Sequence, residues 1–111
     1  MSDFEVILCI INSGFSDLAM DTARKHGARG GTVLNARGTA SKEAEKMFNI
    51  TISPEKEIVM ILASTDIKDA ILKGLYDAVG SNTQAQGIAF ALPVEDVIGI
   101  DKKQKTPATN N

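Results

Sequence analysis

The 111-residue sequence has one cysteine, one histidine and one tyrosine, and no apolar run long enough to span a bilayer. Each scarcity removes a class of function. Cys9 alone cannot close an internal disulfide or build a zinc site. It stands between Leu8 and Ile10 and reads as buried packing. A spanning helix needs ~20 apolar residues, and the longest run near the start is Val6 to Ile11. That run is also short for a signal-peptide core, and it follows Asp3 and Glu5 rather than basic residues. The expected location is the cytoplasm, without direct membrane insertion. The formal net charge is -2 and no basic block exists, so the positive footprint of a non-specific nucleic-acid binder is missing. Neither a Gly-x-Ser-x-Gly elbow nor a phosphate-binding P-loop is present. The acidic pairs Glu43/Glu45, Asp66/Asp69 and Glu95/Asp96 have no histidine or cysteine beside them. They read as solvated faces or caps, and no metal site is expected. His26 has few partners and reads as a stabiliser of a helix C-terminus rather than a catalyst. The sequence therefore predicts a protein that is not an enzyme.

What is present is a compact α+β pattern. With 43% hydrophobic and 23% charged residues, the chain reads as globular rather than disordered. Its length suits one domain, expected over 1–100, followed by a polar tail over 101–111. Phe4 to Ile11 reads as a strand buried on both faces. Asn12-Ser13-Gly14 breaks it, with Ser13 and Ser16 as candidate N-caps of a first helix. Phe15, Leu18, Ala19, Thr22, Ala23 and His26 make the apolar stripe of that helix. Asp17 and Asp21 lie early in it and Arg24 and Lys25 late, as the helix dipole favours. Gly27 closes it.

Thr32 to Arg37 reads as a second strand. The stretch from Gly38 to Ser53 is the least periodic, with a short helix expected over Ser41 to Phe48 and an extended piece at Ile50 to Ile52. Pro54-Glu55-Lys56 reads as a turn and Ile58 to Ala63 as a third strand. Thr65 is the candidate cap of a second helix with an apolar stripe of Ile67, Ala70, Ile71, Gly74, Leu75 and Ala78, ending at Gly80. Ser81 to Gln86 is a polar loop. Ile88 to Leu92 reads as a fourth strand interrupted by Pro93, and Val97 to Ile100 as a short extra C-terminal strand. The order β-α-β-β-α-β predicts a ferredoxin-like sandwich, an antiparallel sheet with two helices on one face. Acylphosphatases share that arrangement, but their anion-cradling loop needs an arginine where this chain has Asn12-Ser13-Gly14-Phe15.

In such a fold the sheet's second face should turn polar residues to water. Here Phe4, Val6, Leu8 and Ile10 are apolar, and so are Ile7, Cys9 and Ile11 between them. Ile58 to Ala63 is apolar throughout. Burying one large aliphatic side chain is worth ~1.5–3 kcal/mol, so an oligomer with sheets packed together is expected.

Gly87 to Ile100, GIAFALPVEDVIGI, resembles the closing segment of the nitrogen-regulatory PII family, most closely at Leu92-Pro93-Val94-Glu95-Asp96-Val97-Ile98. Gly31-Thr32-Val33 leading to Arg37-Gly38 resembles the family's second strand and the base of its long loop. The resemblance spans Phe4 to Ile100. It implies a homotrimer with sheets inward and an ATP or ADP site in the cleft between subunits. It also implies a loop after Gly38 that docks on a target such as a transporter, an enzyme or a transcription regulator, with 2-oxoglutarate as a frequent modulator.

Departures fall on the residues that carry those functions. Polyphosphates need cationic partners, yet family lysines align with Glu55 and Ile88, and family arginines with Gly99 and Asp101. The loop is shorter, and the tyrosine modified in some members is absent; the lone Tyr76 falls on the second helix. The ligand-binding set expected here is Arg37, Gly38, Thr39, Ser81, Asn82, Gln86 and Gly87. It suits a nucleotide with few phosphates, or a small anion, better than ATP with magnesium, and the candidate cofactor is an adenine nucleotide (ATP, ADP or AMP). The expected partner-binding residues on the 38–53 loop are Ser41, Lys42, Glu45 and Phe48. The expected function is a trimeric signalling protein acting in nitrogen utilisation or a related transport or metabolic process. The alternatives are a ligand-independent interaction module that docks on a transporter or enzyme, and a CutA-type trimer.

Overall fold

The structure, a computed structural model, describes residues 3–39, 46–47 and 54–100. Four strands and two helices follow in the order β1 (Phe4–Asn12), α1 (Ser16–Lys25), β2 (Thr32–Arg37), β3 (Glu55–Ser64), α2 (Thr65–Val79) and β4 (Ile88–Val94). The sheet order is β2-β3-β1-β4, and every pairing is antiparallel. This is the expected ferredoxin-like arrangement. β1 and β3 are the central strands.

Strand side chains alternate between faces, so the register sorts them. Ile7, Cys9 and Ile11 of β1 and Val59, Ile61 and Ala63 of β3 turn toward the helices and are buried there. Ala19, Met20 and Ala23 of α1 and Ile71, Leu75 and Val79 of α2 complete that core. The stripe on α1 is rotated from the expected one: Met20 is buried, whereas Leu18 is 46% exposed. Mid-helix Gly74 is explained by the crossing of the two helices. A Cβ there would stand 2.7 Å from Cε1 of His26 and 3.2 Å from Cγ2 of Thr22, so a larger residue would have to displace those side chains of α1.

The helix ends differ from expectation. Neither Ser13 nor Ser16 caps α1, whose N-cap is Phe15 without a side-chain hydrogen bond. Ser64 rather than Thr65 is the N-cap of α2; its hydroxyl donates to the Asp66 carboxylate rather than accepting a helix N–H. His26 is the C-cap of α1, its Nδ1 lying 3.0 Å from the carbonyl oxygen of Thr22, and Gly27 follows at φ 105°.

Three strand boundaries also shift. Glu55 and Lys56 do not form a turn; they open β3, paired with Arg37 and Ala36 of β2. Pro93 does not interrupt β4, which runs to Val94. β4 is an edge strand, where a residue without an N–H need not cost a ladder bond. Val97–Ile100 forms no strand: β1 already has partners on both sides, and Ile98 is 98% exposed. The helix expected over Ser41 to Phe48 lies outside the described residues except for Lys46 and Met47, which are helical. The extended piece Ile50 to Ile52 and the 101–111 tail lie outside them entirely.

The second face of the sheet is open. Residues opposite one another across the ladders share a face. Three of the rows are Leu34–Ile58–Ile10–Ile88, Thr32–Met60–Leu8–Phe90 and Leu62–Val6–Leu92. All but Thr32 are apolar, and Ile88, Leu92 and Phe90 are 62%, 48% and 40% exposed. A fourth row at the end of the sheet, Ala36–Lys56–Asn12, is polar at two of its three positions.

Candidate functional site

The expected ligand residues gather at one end of the sheet, on two edges. Arg37, Gly38 and Thr39 form the exit of β2. Gly38 N–H donates to the Pro54 carbonyl at 2.6 Å, which closes the base of the hairpin that carries the 38–53 loop. Arg37 stands opposite Glu55, and both belong to the set whose β3 members face the helices. Ser41, Lys42, Glu45 and Phe48 lie outside the described residues.

Ser81, Asn82, Gln86 and Gly87 belong to the connection between α2 and β4. Thr83 organises it: its N–H and Oγ1 both donate to the Gly80 carbonyl, at 3.0 and 2.8 Å, and its own carbonyl accepts Gln86 N–H at 3.0 Å. Gly87 N–H donates to the Val79 carbonyl at 2.7 Å. A Cβ on Gly87 would fall against that same oxygen and 2.8 Å from Cγ2 of Ile11. Only glycine permits this approach. Ser81 and Gly87 also line a cavity of about 380 Å³ between α2 and β4, with Leu72, Leu75, Tyr76, Val79 and Cys9. The small Ala89 opposite Cys9 leaves the space open. Burial there pushes the Cys9 thiol up to about 11, so it stays a neutral packing group. Tyr76 is exposed on the cavity rim.

The two edges are separated by β3 and β1, three inter-strand spacings or roughly 14 Å. Within one chain the structure therefore does not bring Arg37 to Gly87. What joins the edges is a set of residues that sequence reasoning passed over. Lys56 Nζ donates to Asn12 Oδ1 at 2.6 Å. Asn12 Nδ2 donates to the Gln84 carbonyl at 3.0 Å and reaches Gln86 Oε1 at 3.4 Å. A Cβ on Gly38 would meet Lys56 Cε at 3.0 Å, so Lys56 lies against the loop base. Asn12 and Lys56 read as a strand break and a turn, and their local sequence carried no other signal; only the register puts them side by side.

Among the described residues no group of three or more His, Cys, Asp or Glu side chains is placed to hold a metal ion. No described helix is long and apolar enough to cross a membrane.

Comparison with family models matches residues 4–104 to the nitrogen regulatory protein P-II family. The chain belongs to the P-II family. A search of curated proteins returned no match. Among solved structures, the chain resembles Arabidopsis thaliana PII bound to citrate, at 22% identity and TM-score 0.69, covering 90% of this chain and 82% of that one. It resembles a putative PII-like signalling protein of Thermus thermophilus at 18% identity and TM-score 0.63, covering 82% and 85%. It resembles the Bacillus subtilis GlnK–ATP complex at 16% identity and TM-score 0.65, covering 85% and 84%. These likenesses carry the fold. P-II proteins are signalling regulators rather than enzymes. Against that background this P-II chain keeps Gly38 and Gly87 at the two edges, while Glu55 faces Arg37 and Ile88 sits on the open face.

Proposed function

We propose that this P-II protein is a cytoplasmic homotrimer that senses a small metabolite, an adenine nucleotide, at the clefts between subunits. It then acts on a target protein, a transporter or metabolic enzyme, through the 38–53 loop. The process regulated is nitrogen utilisation or a related transport or metabolic step, and the chain performs no catalysis of its own. Residues 1–100 act as the single domain, with 101–111 as a polar tail.

The observation that carries this reading is the division of the site. The polar loop residues Ser81, Asn82, Gln86 and Gly87 sit by the β4 edge, and Arg37, Gly38 and Thr39 by the β2 edge. One chain cannot close them on one ligand. Neighbouring subunits packed through their open apolar faces can bring one chain's β2 exit beside the next chain's β4 loop. With Glu55 and Ile88 in place of cations, the ligand favoured is AMP or a cyclic nucleotide over ATP with magnesium. Calorimetry with ATP, ADP, AMP and cyclic AMP tests this directly. Binding of at least one, in the order AMP above ATP, is expected; heat from none of them removes the nucleotide.

A second reading has its own support. Arg37, the expected guanidinium at the loop base, already stands across from Glu55, which supports a ligand-independent interaction module. The same partner recovered with and without nucleotide would favour it.

A further inference from the structure

The side of the sheet that the helices cover is filled unevenly. β3 and β1 turn Val59, Ile61, Ile7 and Ile11 into it, all buried. The β4 side chains on the same face, opposite Cys9 and Ile7, are only Ala89 and Ala91. Two alanines leave α2 little bulk to pack on along that edge. The result is the cavity of about 380 Å³ between α2 and β4, a size within the ~300–1,000 Å³ of small-molecule pockets. The buried Cys9, Leu75 and Val79 form its floor. Leu72 and Ala89, both half-buried, are its walls.

Two contacts hold α2 at this distance from β4. The Gly87 N–H donates to the Val79 carbonyl at 2.7 Å and ties the end of the helix to the head of the strand. Farther back, Gly74 lies against His26 and Thr22 of α1. The lining is also chemically one-sided. Among the described residues, no side chain charged at neutral pH lines the cavity. Its polar side chains are the Tyr76 and Ser81 hydroxyls, both on exposed residues at the mouth. Neither hydroxyl has a hydrogen-bond partner among the described residues. Past Tyr76 the surface of α2 turns charged at Asp69, Lys73 and Asp77, so the apolar surface stops at the mouth. A stable protein partner needs about 800 Å² on each side. The mouth has no apolar apron of that kind, which favours a small molecule as the occupant.

We propose that the cavity between α2 and β4 binds a small uncharged molecule with an apolar body and one polar end. The body lies against Leu72, Leu75, Val79 and Ala89, where burial of apolar surface drives binding. The polar end meets the Tyr76 and Ser81 hydroxyls, each able to donate and to accept. A charge carried into the cavity would lose its hydration with no counter-charge to replace it. Gly80, Ser81 and Gly87 also border the cavity, so the occupant touches the loop that leads into β4. The site lies on the helix side of the sheet and does not rest on the nucleotide reading.

The test titrates the full chain with benzyl alcohol and follows the methyl signals of Leu72, Val79 and Ala89 by NMR. Saturable shifts confined to the lining of the cavity are expected. Benzoate, which has the same ring with a charge, should bind about tenfold more weakly. Ala89→Leu fills the cavity from the strand and Leu72→Phe fills it from the helix; each should weaken binding of the alcohol about tenfold or more. Shifts that do not saturate, an affinity unchanged in either folded variant, or benzoate binding as tightly as the alcohol overturns the proposal. So does a fall in light-scattering mass in Ala89→Leu when the wild type binds no alcohol, which would make the cavity a seat for a neighbouring copy of the chain.

Discussion

Cys9 illustrates how a single residue's surroundings decide its chemistry. It is 1% exposed, flanked across the ladders by Val59 and Ala89. Burial raises its thiol from 9.0 to about 11, because the thiolate would lose its hydration. The folded protein therefore holds this proton more tightly than the unfolded chain. Its contribution to stability is complete below pH 9 and is lost as pH rises through about 11. Two pKa units correspond to about 2–3 kcal/mol. In denaturant titrations from about pH 8 to about pH 11.5, the wild type should lose about that much more stability than Cys9→Ala. Parallel curves for the two proteins would show that the thiol is better hydrated than its burial implies. Reaction with a thiol reagent should likewise wait for unfolding.

Among the elements, α2 carries the largest share of the helix-side core. Ile71, Leu75 and Val79 are each 1% exposed or less. They pack one turn apart against Ile7, Cys9 and Ile11. Leu75→Ala should cost about 2–5 kcal/mol in chemical denaturation, toward the upper part because the side chain borders an existing cavity that would enlarge. A cost under about 1 kcal/mol would mean that α2 settles into the space. This helix and the central strands were legible in the sequence because burial writes a period: 3.6 along α2, and continuous apolarity along β1 and β3. The places that were not legible lack such a period. Glu55 and Lys56 look like a turn after Pro54, yet pairing with Arg37 and Ala36 makes them strand. Pro93 looks like an interruption, yet β4 has a partner on one side only. Of the site, Gly38 and Gly87 could be anticipated from the family's motifs. The link from Lys56 to Asn12 and Gln86 joins residues 44 and 74 positions apart in sequence, so no local pattern could carry it.

At the scale of the whole molecule, the two faces of one sheet have unlike fates. The helix side is covered by α1 and α2. The three rows on the other side, from Leu34 to Leu92, are apolar apart from Thr32 and remain uncovered in a single chain. The polar row of Lys56 and Asn12 bounds that patch at one end, as a rim bounds the core of an interface. Phe90 stands in its middle row, 40% exposed and opposite Leu8. Its ring lies on the open face only, so replacing it should leave the helix-side core intact. A charge introduced there would have to be buried unpaired on assembly, which costs several kcal/mol, while a lone chain could hydrate it freely. Phe90→Lys should therefore shift the protein from a trimer's mass to a single chain's in light scattering, with its far-ultraviolet circular dichroism retained. If the variant keeps the wild-type oligomeric mass, assembly does not use this face. The sheet edges β2 and β4 would then be the remaining surfaces, and the clefts proposed for the ligand would have to be formed by them instead.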